Sequence, residues 1–164
     1  MTTQDYARWT APLRRHPALT HMLLRLNTIL TALTYALYPL LLAALLLQRD
    51  SRFMRVLLVP AISFCCLSTI RSKINAPRPY ETLDIQPLIH KATKGNSFPS
   101  RHVFSVTVIA WAFGFILPQA GIALTIAAVL MACIRVLGGV HFPRDVIAGL
   151  LSGQLAGLVG FILL

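Results

Sequence analysis

The stretch RHVFSVTVIAWAFGFILPQAGIALTIAAVLMACIRVLGGVHFPRD, residues 101–145, decides how the chain folds. From residue 103 to residue 134 it carries no charge and no histidine, and Pro118 divides it into two apolar runs, 103–117 and 121–134. Apolar runs of this kind, bounded by Arg101 and Arg135, read as membrane-spanning helices. Working outward, the same punctuation by charge and proline yields three more spans, 26–47, 56–70 and 146–164. The expectation is an all-α, integral-membrane helical bundle of about five transmembrane helices.

Composition agrees. Hydrophobic residues make up 56% of the 164 and charged residues 12%, the latter about half the roughly 25% usual in soluble domains. The length suits a single membrane-embedded domain over residues 1–164. The formal charge of +10 would suggest a nucleic-acid partner in a soluble domain; in a chain this apolar it suggests anionic lipid headgroups instead. Residues 1–25 mix Tyr6 and Trp9 with Arg8, Arg14 and Arg15, a blend suited to an interfacial segment. Cys65, Cys66 and Cys133 lack metal-site spacing and are expected as small residues inside the bundle. The runs 56–70 and 103–117 are about 22 Å long at 1.5 Å per residue, short of a hydrocarbon core of roughly 30 Å. Arg55, Arg71, Arg101 and Arg135 at their ends are expected to snorkel or to line a polar cavity.

The one long polar connection, 71–101, exceeds ordinary loop lengths and is the expected active-site loop. Counting spans places it on the same membrane face as the 135–145 turn and the N-terminus. Three clusters lie there: Arg71 through Arg78-Pro79, Pro99-Ser100-Arg101-His102, and Arg135 through His141 to Asp145. Arg71, Arg78 and Arg135 are permanent cations whose forked donors match phosphoryl oxygens. Pro99 at the first helical position would place Ser100, Arg101 and His102 in a first turn whose free N–H groups favour an anion. Asp145, four residues after His141 and following Pro143, can accept a hydrogen bond from one ring nitrogen and leave the other to attack phosphorus. His102 can protonate the leaving oxygen and later activate water. No carboxylate cluster suits magnesium or calcium, so neither a metal nor a cofactor is expected. Lys73, Lys91, Lys94 and His90 read as loop charges near headgroups, and Asn75 and Tyr80 carry no assigned role.

These clusters resemble the signature of the type 2 phosphatidic acid phosphatase (PAP2) superfamily: Lys, six residues, Arg-Pro; Pro-Ser-Gly-His; then Ser-Arg, five residues, His, three residues, Asp. Arg71 stands for the Lys, Arg101 for the Gly and Ile134 for the Ser; Arg78-Pro79, Pro99-Ser100, His102, Arg135, His141 and Asp145 match. The resemblance covers residues 60–164. It implies that Arg71, Arg78, Ser100 and Arg135 bind phosphate, His102 is the acid, His141 the nucleophile and Asp145 its orienter. Arg101 is expected to swing outward, toward a second phosphate or the membrane surface. The implied activity is metal-independent hydrolysis of a lipid phosphomonoester or polyprenyl diphosphate through a phosphohistidine. The implied setting is a bacterial cell membrane, with the site facing outward. Two other functions fit the same residues, a lipid phosphotransferase and a non-catalytic anionic-lipid binder. Phosphatidic acid, phosphatidylglycerol phosphate and undecaprenyl diphosphate are equally compatible with motifs that contact only phosphate.

Overall fold

A computed structural model describes residues 1–163, and every regular element among them is helical. In chain order these are α1 (Thr3–Arg15), α2 (Pro17–Leu47), α3 (Phe53–Ile74), α4 (Pro79–Thr82), α5 (Arg101–Ile116), α6 (Pro118–Leu137) and α7 (Pro143–Leu158), continued by a π-helical turn over Val159–Leu163. Four units are long and apolar enough to cross a membrane: α2, the α3 to α4 stretch, α6, and α7 with its π-helical end. The fifth apolar helix, α5, has 16 residues, about 24 Å at 1.5 Å per residue. It compensates by position, since Val103, Phe104, Ala110 and Ala112 among others are buried against its neighbours. The chain is an integral membrane protein in which this short apolar helix is largely enclosed by protein.

Helix limits depart from the apolar runs in instructive ways. α3 continues through Arg71 and Lys73 and ends only where Asn75 turns left-handed at φ 43°. Arg71 is therefore carried on a helix, 8% exposed, where the sequence reading begins a loop. The boundary at residue 25 falls inside α2, which opens at Pro17 directly after α1. Cys65, Cys66 and Cys133 do not sit inside the bundle: all three are free and exposed on its outer surface, where a small thiol is as compatible with lipid as with protein.

α1 is anchored at both ends. Thr2 Oγ1 accepts from the Asp5 amide at 3.1 Å while the Asp5 carboxylate accepts from the Thr2 amide at 2.7 Å, a reciprocal cap. Tyr6, 2% exposed, donates through its hydroxyl to the Leu137 carbonyl at 3.2 Å and accepts from the Leu88 amide at 3.3 Å. Arg14 reaches the Gln86 carbonyl. α1 thus lies on the same face as the long loop and the turn after α6. Gly139 in that turn has φ +75°, and a Cβ there would stand 2.7 Å from the Tyr6 hydroxyl, so both backbone and space require glycine.

The helices that bring the motifs together are α5, α6 and α7. Val103, Val106, Ala128, Met131, Ala132 and Val146 form one buried cluster among them. Gly149, Gly153 and Gly157 recur every fourth residue of α7 and face α5; a Cβ on them would meet the Ser100 carbonyl at 2.7 Å, Thr107 at 2.7 Å and the Trp111 ring at 2.1 Å. In lipid, where apolar burial drives helices together only weakly, such small residues allow the close approach that dispersion needs.

Candidate active site

Each arginine of the three clusters comes from a different element. Arg71, in the last turns of α3, donates through Nη1 to the Pro99 carbonyl at 3.1 Å. Arg78, just before α4 and 2% exposed, donates through Nε to Gly95 O at 3.0 Å, through Nη2 to Asn96 O at 3.4 Å and through Nη1 to Val140 O at 3.1 Å. It therefore ties the end of the long loop to the turn carrying His141 and still retains N–H groups for another acceptor. Arg135, at the end of α6, is 4% exposed, and its Nε has no partner among the described residues.

Ser100, not Pro99, begins the first turn of α5: Ser100 is the N-cap, and Pro99 precedes it on a cis Phe98-Pro99 bond. The Ser100 amide donates to the Asp145 carbonyl at 2.8 Å, and its Oγ is buried without a partner among the described residues. Arg101 and His102 follow as the first two helical residues. Pro143 does open α7, and Asp145 lies in its first turn.

His141 and Asp145 are close, but they do not meet as expected. Their Nδ1 and Oδ2 atoms are 3.6 Å apart, beyond hydrogen-bond length. The hydroxyl of Ser97 stands between them, 2.5 Å from Asp145 Oδ2 and 3.3 Å from His141 Nδ1. The four-residue spacing gives a direct contact only when both residues are helical, and α7 starts two residues after His141. Asp145 Oδ2 is also held by the Phe142 amide at 2.9 Å, which keeps the carboxylate at the helix start. Ser97, His141 and Asp145 are all 0% exposed, and His141 Nε2 is buried with no partner among the described residues. Burial, with Arg78 and Arg135 nearby, pushes the His141 imidazole down to about 4 despite the opposing carboxylate of Asp145. The ring is thus kept neutral down to about pH 4.

A cavity of about 460 Å³ is lined by Arg71, Arg78, Lys91, Lys94, Arg101 and His102. Lys91 is half-buried, and burial first, then Arg78, Arg135, Arg71 and Arg101, lowers its ammonium to about 8. Lys91, which the sequence presents as a loop charge near headgroups, is turned inward among the arginines by the folded loop. Arg101 lies over the Phe64 ring of α3, 5.5 Å from its centroid, at the cavity wall. Tyr80 and Asn75, without a role in the sequence reading, brace the loop: the Tyr80 hydroxyl donates to Thr93 O at 2.5 Å, and Asn75 Oδ1 accepts from the Asn96 amide at 3.2 Å.

A family model described as the PAP2 superfamily matches residues 52–164, which include every one of these motifs. The chain belongs to the PAP2 superfamily. It is 40% identical over 57 residues to lipid A 1-phosphatases of Rhizobium etli and Rhizobium johnstonii. That match covers 35% of this chain and only 25% and 23% of those relatives. The crystal structure of Aquifex aeolicus LpxE superimposes with a TM-score of 0.75 at 25% identity, over 97% of this chain and 93% of that one. A transmembrane PAP2-type phosphatidylglycerolphosphate phosphatase from Bacillus subtilis shares the fold, with a TM-score of 0.74 at 24% identity over 96% of this chain and 82% of that one. Both superpositions extend beyond the PAP2 match to the N-terminal helices, so α1 and α2 are part of the shared architecture. Within the PAP2 pattern this chain carries Arg71, Arg101 and Ile134 where Lys, Gly and Ser are usual.

Proposed function

We propose that this PAP2-type membrane phosphatase hydrolyses a lipid phosphate without a metal ion, through a phosphohistidine on His141. The observation that carries this reading is that three of the six buried side-chain polar atoms without partners among the described residues, Ser100 Oγ, Arg135 Nε and His141 Nε2, belong to the motif residues of α5, α6 and the turn between α6 and α7. A buried orphan of this kind costs about 1–3 kcal/mol, and one bound phosphoryl group supplies acceptors for the two donors and phosphorus for the nitrogen lone pair. His141 Nε2 forms the N–P bond as the P–O bond to the lipid breaks, and His102 gives its proton to the departing oxygen. Water, deprotonated by His102, then attacks phosphorus and releases phosphate and neutral His141. Arg71, Arg78 and Arg135 stabilise the charge that gathers on the equatorial oxygens.

The substrate we assign is a lipid whose headgroup carries a second anionic group beside the scissile phosphate. Lys91, Lys94 and Arg101 line the cavity beyond the inner arginines, and the relatives at 40% identity are named for an action on lipid A. We assign the enzyme to a bacterial cell membrane, which its bacterial relatives support, and propose that its site faces away from the cytoplasm. Release of inorganic phosphate from a panel of lipid A, phosphatidic acid, phosphatidylglycerol phosphate and undecaprenyl diphosphate, with EDTA present, tests the proposal. Activity lost in EDTA and restored by magnesium would reject the metal-free route.

A further inference from the structure

The geometry points to Ser97 as the positioning residue that fixes the tautomer of His141, acting as a hydroxyl bridge from Asp145; the role of that nitrogen rests on the phosphohistidine reading above. A carboxylate accepts and cannot donate, so the 2.5 Å contact between Ser97 Oγ and Asp145 Oδ2 uses the only proton the hydroxyl has. Its length is that of a charge-assisted O–H···O⁻ bond. The remaining interaction of Ser97 Oγ, with His141 Nδ1 at 3.3 Å, must then run the other way, with Nδ1–H donating to the oxygen lone pair. Asp145 Oδ2 lies 3.6 Å from the ring nitrogen, within ion-pair range but longer than a hydrogen bond, so the shorter path between them runs through Ser97. The proton sits on Nδ1 because Ser97 can accept there, and Nε2 is left with its lone pair free.

The loop is built to hold that hydroxyl still. The Ser97 amide donates to Ala76 O at 2.8 Å, just after the left-handed Asn75 that ends α3. Arg78 clasps the carbonyls of Gly95 and Asn96 immediately before it. As the Nε2–P bond forms, the ring gains positive charge and Nδ1–H becomes a stronger donor. Ser97, already polarised by the Asp145 carboxylate, is the group that receives it.

Nitrogen-15 NMR of detergent-solubilised protein, with His141 assigned by its loss in His141→Ala, reads the tautomer without any substrate. The expected spectrum shows neutral His141 protonated at Nδ1, and Ser97→Ala changes that signature. In parallel, Ser97→Ala lowers kcat by about tenfold to a hundredfold, the size of one charge-assisted hydrogen bond, while KM for the lipid phosphate stays within about twofold because Ser97 does not line the phosphate cavity. A parent spectrum with the proton on Nε2, an unchanged spectrum in Ser97→Ala, or a kcat equal to the parent's would each overturn the assignment. Retained turnover in His141→Ala would instead overturn the phosphohistidine, leaving the tautomer measurement to judge Ser97 separately.

Discussion

The amide of Ser100 donates to the carbonyl oxygen of Asp145 at 2.8 Å, so the start of α5 and the first turn of α7 are fastened by backbone alone. His102 stands two residues from one end of that bond and His141 four residues from the other. The separation of the two histidines is thereby set by how closely α5 and α7 pack, which the Gly149, Gly153 and Gly157 stripe controls.

Gly149→Ala places a Cβ 2.7 Å from the Ser100 carbonyl, a backbone atom with no rotamer to escape into. We expect about 1–3 kcal/mol of destabilisation from overpacking and a loss of turnover larger than the loss of folded protein. Leu151→Ala, on the exposed face of the same helix, should leave both intact. Thermal melts and phosphate release on the two purified variants check this.

His141→Ala should remove turnover by a factor of about 10³ or more, since the variant lacks the ring nitrogen that attacks phosphorus in the proposed mechanism. His102→Ala should cost about 10² to 10⁴, with its effect smallest on substrates whose leaving group needs no proton, such as a nitrophenyl phosphate. Equal losses on all leaving groups would remove His102 from the acid role.

The pH profile follows from the lowered His141 value. Its folded-state value, about 4, lies below the roughly 6.5 of a free histidine, so the nucleophile stays neutral down to about pH 4 and the acid limb of kcat/KM belongs there. By the same linkage, His141 makes the folded state lose stability as pH falls from about 6.5 toward 4, because only the unfolded chain takes up the proton in that window. An acid limb centred near 6.5 would contradict the burial of this ring.

Arg101→Gly separates the cavity's two anionic positions. Loss of one charge-assisted contact, about 1.5–3 kcal/mol, should lower kcat/KM roughly tenfold to a hundredfold on undecaprenyl diphosphate and far less on phosphatidic acid. Equal gains on both substrates would mean that the Arg101 side chain, now over Phe64, obstructs the phosphate instead of meeting a second one.

Ala92 lies exposed in the long loop. In intact cells, Ala92→Cys should react with a membrane-impermeant maleimide from outside, whereas Cys65, Cys66 and Cys133 on the lipid-facing surface should not. Labelling only after the cells are opened would place the site on the cytoplasmic side.

The spans and the motif residues were legible because both signals are local. Apolar runs between charges need lipid wherever they occur, and arginine and histidine at fixed spacing report their chemistry without a fold. What the sequence concealed was set by closure over distance. Nothing around Ser97 marks it in the chain; it reaches His141 only because its amide bonds Ala76 and Arg78 clasps its neighbours. Lys91 looked solvated because its burial depends on where the loop folds back. α3 runs past Arg71 because its stop is Asn75, which turns left-handed, and the cations Arg71 and Lys73 in the last turn complement the helix dipole.

All of this chemistry occupies one end of the bundle, while at the other end α5 passes into α6 through Leu117 alone, with no charged side chain between Arg101 and Arg135. A headgroup in the far leaflet therefore lies about 24 Å from His102, the length of α5, and meets only hydrocarbon on the way. A site so placed would serve a single leaflet, and a phosphate ester made on the opposite one would have to cross the membrane before reaching it.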